Sequence, residues 1–293
     1  MLTPEQLEAF DQEGCLVIED LFTEDDLQPV KDEFSAVTER EAQRLLAEGK
    51  LSDLYAHEPF ETRMAKVAAE APEAAAALQT RAHKGDALFA FLKHPKILDR
   101  VESLVGPDIL CHASYNLHPR LPGGRTIPHQ DAAYYLPDGD NTLIVACLIP
   151  LVDTSEENGC LWVARGRHKE GVLRYEWRDL LYMFPEEVPE EQREPLPTPA
   201  GSMVMFTSML PHGSLVNNTD TVRWSMDLRY QAVGQPTGRW YIPGFVARCT
   251  SDPSLETPDC ATWIEDVERV QKEADRQPDR PRMRWENAPK NLR

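Results

Sequence analysis

The spacing of hydrophobic positions changes near residue 108, from a helical period before it to short, strand-like runs after it. Leu7 and Phe10 share a helix face behind Thr3-Pro4-Glu5-Gln6, where Thr3 can cap, Pro4 suits the first turn and Gln6 completes a capping box. Gly14 ends that helix, and Cys15-Leu16-Val17-Ile18 reads as a short buried strand. Thr23 opens a second helix carrying Leu27, Val30 and Phe34, which Pro29 should kink or delay. Residues 35–80 are helix-rich, with an alanine-heavy run from Ala65 to Leu78 broken at Pro72, and are expected to pack outside the main sheet. Ile97, Val101 and Leu104 line one face of a helix that Pro95 opens and Gly106-Pro107 stops.

From Asp108 to about Val233 the pattern predicts strands at Ile109–Leu117, Leu143–Leu151, Cys160–Val163, Ser202–Phe206, Gly213–Val216 and Val222–Gln231. Short strands with turn signals between them predict a β-sandwich or jelly roll. No helical crossovers separate them, which argues against a parallel α/β sheet. Residues 184–200 are too dense in proline and acid for a regular element and read as a surface insertion. Residues 271–293 are polar and read as a partly ordered tail; were it to fold back over the site, Trp285 would be its anchor.

Composition narrows the function classes. A chain of 293 residues with 41% hydrophobic and 27% charged positions has ample material for a core. A net charge of −18 argues against nucleic acid or an anionic membrane surface as partner. The six cysteines form no C-x-x-C pair, so neither a disulfide framework nor a zinc knuckle is expected, and Cys249 and Cys260 read as incidental. The N-terminal residues lack the pattern of a secretory leader, and no apolar run approaches the ~18 residues of a membrane span. The expectation is a soluble protein in a reducing, cytoplasmic setting, of unspecified oligomeric state.

The chemistry centres on His129-Gln130-Asp131. In a strand, residues i and i+2 point to the same side, so His129 and Asp131 can reach one ion. Of the eight histidines, His212 is the best third ligand. A turn signal, Asn217-Asn218-Thr219-Asp220, follows it, and a strand from Val222 would then place Arg223 roughly opposite Ser214 in a hairpin. Two imidazoles and a carboxylate suit Fe(II) and leave positions open for oxygen and a co-substrate. A guanidinium and a hydroxyl beside that ion suit a dicarboxylate.

His129-Gln-Asp131, Glu157-Asn-Gly-Cys-Leu-Trp162, Gly166-Arg-His168, His212-Gly-Ser214 and Arg223 occur in an order that resembles the phytanoyl-CoA dioxygenase family of Fe(II)/2-oxoglutarate-dependent oxygenases, over roughly residues 5–235. The resemblance implies one oxygenase domain over 1–293. Its double-stranded β-helix (jelly-roll, cupin-like) core would span 108–235, with an insertion at about 168–200. A mostly helical buttress would fill 1–107, and 236–293 would be a C-terminal extension. It implies His129, Asp131 and His212 as metal ligands and catalytic centre, and Arg223 and Ser214 as contacts to the 2-oxoglutarate C5 carboxylate. The reaction it implies is C–H oxidation of a small molecule with O2, releasing succinate and CO2, with ascorbate as a reductant. The family often has Gly-Ser-His where this chain has Gly166-Arg167-His168. Halogenases of the superfamily carry Ala or Gly at the carboxylate position, so Asp131 favours hydroxylation or a related oxidation such as desaturation, ring closure or epimerisation.

Further residues are candidates for the pocket. Thr142 and Asn116 are candidate co-substrate contacts, and Tyr134, Tyr135, His118 and Trp162 candidate substrate contacts. Opposite parity allows at most one of the two tyrosines to face the pocket. His112 and His118 are expected on one face of the first core strand, His168 is expected to hydrogen-bond locally, and Arg120 and Arg125 read as solvated. The residues alone leave open a Zn or Mn enzyme on the same barrel and a non-catalytic, 2-oxoglutarate-independent metal-binding cupin-type protein. Arg223 and Ser214 speak for the oxygenase.

Overall fold

A computed structural model describes residues 1–79, 82–178 and 180–285. The first part is helical: α1 Pro4–Glu13, a short strand β1 Cys15–Ile18, then α2 Glu24–Ala47, α3 Phe60–Glu70, α4 Asp86–Leu92 and α5 Pro95–Val105. The Thr3/Gln6 capping box is formed, and Gly14 closes α1 in the left-handed conformation (φ 77°). Pro29 does not stop α2. It sits in the second turn, where one lost hydrogen bond near the exposed start is tolerated, and the helix runs on to Ala47. At Pro72 the alanine-rich run changes into a 3-10 helix over Pro72–Leu78.

The second part is stranded: β2 Asp108–Cys111, β3 Asn116–Arg120, β4 Val145–Pro150, β5 Leu161–Val163, β6 Tyr175–Trp177, β7 Leu181–Met183, β8 Glu194–Leu196, β9 Met203–Thr207, β10 His212–Ser214, β11 Arg223–Ala232 and β12 Phe245–Cys249. Helix α6, Cys260–Asp275, follows. Among the described residues, one sheet of seven strands runs β1-β9-β4-β11-β2-β12, with β3 also on β11; a second runs β10-β5-β8, and β6 pairs β7. All these pairings are antiparallel, and the whole is a jelly-roll core with a helical layer on its larger sheet.

Four expectations are corrected here. The run Ile109–Leu117 is two strands, because the chain leaves the ladder at 112–115, where the Ser114 carbonyl instead accepts from Arg229. Residues 184–200 include a regular element: Glu194-Pro195-Leu196 forms edge strand β8 on β5, a position where a proline is tolerated. The His212–Arg223 hairpin does not exist. β10 pairs β5, whereas β11 pairs β2, β3 and β4, so the turn at 217–220 carries the chain from one sheet to the other. Finally, the polar composition of 271–293 hid the last turn of α6, which begins at the Asp259 cap and buries Trp263 and Val267.

Alternation sorts the interior. Val145, Cys147 and Ile149 of β4, Met203 and Met205 of β9, and Trp224, Met226, Leu228 and Tyr230 of β11 face the helices and join the main apolar core. Ala146, Leu148, Val204 and Phe206 point the other way, toward Leu161, Val163 and Leu196 of the small sheet. Burying a large apolar side chain stabilises by about 1.5–3 kcal/mol. The helical layer therefore holds the large sheet rigid while its other face is free to carry polar groups.

Candidate metal centre and acid-binding cavity

His129 lies outside a regular strand. It is joined to His212 by a two-bond bridge, His129 N–H to the His212 carbonyl at 2.9 Å and the reverse at 2.8 Å. Asp131 already belongs to a 3-10 turn, Asp131–Tyr134, so the strand parity expected for the pair does not hold. The bridge does what parity was expected to do: the imidazole centroids lie 4.1 Å apart, and one ligand atom from each of His129, Asp131 and His212 falls within 4.8 Å of the others. Each ring places Nδ1 at 2.9 Å from a backbone carbonyl two residues earlier, Ile127 or Leu210. Nδ1 thus carries the proton, and Nε2 presents its lone pair to the other two ligands. The Nε2 of His212 is buried without a partner among the described residues. Burial and the neighbouring His212 push His129 down to about 3, which keeps it neutral and able to ligate.

Gln130, fully buried between the two ligands, points away from them. Its amide donates to the Gly171 and Met209 carbonyls and accepts from Leu173 N–H, tying this segment to two others. Asp131 is held from behind by Arg229, whose Nε and Nη2 meet its two oxygens at 2.6 and 2.7 Å. Burial alone would raise the Asp131 carboxyl, but the guanidinium of Arg229 holds it well below the usual carboxylate range. Arg229 went unremarked in the sequence. Its signal was the alternation Arg223, Ser225, Asp227, Arg229, a row of polar side chains on one face of a strand whose other face is apolar.

A cavity of about 100 Å³ opens beside the histidines. Ser214 and Arg223 both line it, although they come from different sheets. Arg223 gives Nη1 to Ser225 Oγ at 2.7 Å, and its Nε is buried with no partner among the described residues. Burial and the cation of Arg120, which is directly across the ladder, lower Arg223 to about 9, so it stays charged at neutral pH. The Ser214 hydroxyl accepts from Thr126 N–H at 2.8 Å and lies 3.1 Å from the Leu215 carbonyl. Asn116 and His118 line the same cavity from β3. Burial and Arg120 lower His118 to about 4.

The remaining candidates separate. Thr142 gives its hydroxyl to the Pro236 carbonyl at 2.9 Å and lies off the cavity wall. Trp162 is core, because strand parity turns Leu161 toward the cavity and Trp162 onto Gly213, where a Cβ would come within 2.6 Å of the indole. Tyr134 sets its ring edge-on to His129 at 5.8 Å. Tyr135 is buried against His112 instead. His112 does not share a face with His118; both its nitrogens bond to backbone, to Thr237 and Ser114. His168 bonds to Asp11 of α1, away from its own turn. Arg120 is half-buried beside His118 instead of solvated, while Arg125 is exposed.

The C-terminal residues fold back onto the metal segment. Trp285 donates its indole N–H to the Ala133 carbonyl at 2.8 Å, and Arg284 reaches the Ala132 carbonyl and pairs with Asp140. Trp240 fastens this strap through Pro281, at 2.7 Å. The expected loose tail is thus a contact that pins the turn carrying Asp131; residues 286–293 lie outside the described residues.

Comparison with known proteins bears on the family and the fold. A family described as phytanoyl-CoA dioxygenase (PhyH) matches residues 10–225. The human peroxisomal phytanoyl-CoA dioxygenase is 25% identical over 244 residues, covering 78% of this chain and 68% of that protein. The non-heme monooxygenase ThoJ in its apo form superposes with a TM-score of 0.65 at 22% identity, over 93% of this chain and 98% of its own. The epimerase SnoN, in complex with Fe3+, alpha ketoglutarate and nogalamycin RO, reaches 0.52 at 19% identity, over 87% and 94%.

Proposed function

The chain belongs to the phytanoyl-CoA dioxygenase family, and from that premise we propose that it is an Fe(II)- and 2-oxoglutarate-dependent dioxygenase oxidising a C–H bond of a small molecule. The observation that carries this reading is the buried, unpartnered Nε2 of His212, aimed at His129 and Asp131. A buried acceptor without a partner is unfavourable unless something fills the gap, and a cation does so. The donor set fits Fe(II): two imidazoles locked by their Nδ1 bonds with Nε2 left to ligate, and one carboxylate kept ionised by Arg229.

His129, Asp131 and His212 would hold the iron. Bound there with 2-oxoglutarate and O2, iron supplies oxidising power for an unactivated C–H bond, with release of succinate and CO2. Arg223 would take the far carboxylate of the oxo-acid, its Nη1 steered by Ser225 and its Nε available. Ser214 and Thr126 close that end of the cavity. Tyr134, edge-on to His129, is the candidate substrate contact. Asp131 as a ligand favours hydroxylation or a related oxidation over halogenation.

Anaerobic addition of Fe(II) and 2-oxoglutarate should give the weak visible charge-transfer band of the chelate, and oxygen should then release succinate. Absence of both in the wild-type protein would end this reading. Wild-type behaviour of Asp131→Ala in both tests would refute the ligand assignment even if the class held.

A further inference from the structure

β11 carries two buried arginines on one face, and they are used oppositely. Arg223 keeps Nε free, whereas every N–H of Arg229 is engaged. Nε meets Asp131 Oδ2 at 2.6 Å, and Nη2 is shared between Asp131 Oδ1 and Asp227 Oδ2, each at 2.7 Å. Nη1 meets the carbonyls of Ser114 at 2.6 Å and Asp227 at 3.3 Å. The Arg229 side chain is 1% exposed. A saturated arginine cannot take a ligand, so its role is exerted through the groups it holds.

Resting on the iron-site reading above, we infer that Arg229, braced by Asp227, is a positioning residue that fixes the carboxylate plane of Asp131 and turns one oxygen, Oδ1, toward the metal. Oδ1 is 3.8 Å from His129 Nε2. With a guanidinium N–H on each oxygen, the carboxylate cannot rotate to offer both to one ion without breaking the fork. A single donor from Asp131 keeps coordination positions open for the oxo-acid and oxygen. The brace matters because Asp227 holds Nη2 from its other side. Lysine would restore the charge at Arg229 without the planar two-pronged geometry.

The test compares Arg229→Lys and Arg229→Gln with wild type by anaerobic Co(II) titration. The intensity of the Co(II) visible bands reports coordination number, and circular dichroism reports folding. Both variants should bind Co(II) about 10- to 100-fold more weakly, the range for loss of a group that orients a ligand, with altered band intensity. In an Asp131→Asn background, Arg229→Lys should change affinity by less than twofold, because the residue it acts through is gone. A folded Arg229→Lys protein with wild-type affinity and bands would overturn the inference, as would an equal loss in both backgrounds. If neither Arg229 variant folds, Asp227→Asn decides: weakening beyond threefold supports the brace, and unchanged binding overturns it. Wild type that binds Co(II) yet gives no chelate band with Fe(II) and 2-oxoglutarate fails the proposed function and leaves this inference standing.

Discussion

The two faces of β11 are both buried and have opposite composition. Trp224, Met226, Leu228 and Tyr230 look outward into the helical layer, while Arg223, Ser225, Asp227 and Arg229 look inward. On the outer face, Trp224 stacks on Phe60 with centroids 4.9 Å apart, and Tyr230 donates to the Leu92 carbonyl at 2.9 Å. The inner face holds a network of ion pairs in which Arg229 joins two carboxylates. Buried ion pairs are weak sources of net stability, because desolvation offsets much of their attraction. The outer face therefore stabilises the strand, and the inner face uses that stability to hold charges away from water.

The sharpest way to break this division is Asp131→Ala. It removes a proposed ligand and leaves Arg229 a buried cation without its two-pronged partner, so destabilisation of about 3–5 kcal/mol is expected. Urea unfolding should show that loss, and loss of the Fe(II)/2-oxoglutarate band should accompany it. Trp224→Ala on the other face should destabilise by a similar 3–5 kcal/mol, yet the folded fraction should retain its metal affinity in Co(II) titration. A large drop in that affinity would mean that the faces are coupled. Arg223→Gln should raise the apparent Kd for 2-oxoglutarate roughly 10- to 100-fold, the loss of a charge-assisted bond worth about 1.5–3 kcal/mol. Its melting temperature should hold, since no partner carboxylate is left unpaired.

The smallest effect tests the helical layer alone. Glu33 of α2 accepts from Ala87 and Leu88 N–H at the start of α4 and from the His83 ring at 2.8 Å. Burial would raise its carboxyl, but these bonds outweigh it and set it below the ordinary 4.5. A depressed carboxyl contributes stability that is present above its unfolded pKa and lost as pH falls through the lower folded value. Glu33→Gln should cost about 1 kcal/mol at neutral pH, and part of the acid sensitivity below pH 4.5 should vanish with it in thermal melts.

Local signals were legible where local chemistry decided the structure. The Thr3/Gln6 box, the Gly14 stop and the Pro95 helix start all follow from neighbours in the chain. The three proposed ligands were legible as residue types. Their convergence was expected too, but not the means, since the bridge between His129 and His212 and the crossing from β10 to β11 depend on pairings between distant segments. Arg229 was within reach: the alternation from Arg223 to Tyr230 was visible, but a charged residue on the buried side of a strand has meaning only once its carboxylate partners are known. Helix α6 carried its own cap and an i, i+4 pair, Trp263 and Val267, yet its charged last turn obscured it.

The contact made by Trp285 has a consequence for the order of folding. Its indole grips the Ala133 carbonyl, 152 residues earlier in the chain. A ribosome delivers residues in order, so the turn at Asp131–Tyr134 and the strands through β11 are synthesised before Trp285. Until Trp285 arrives, that turn lacks this clamp. The clamp on the segment that carries Asp131 is therefore a late step of folding, made only after the strands that carry His212 and Arg229 exist.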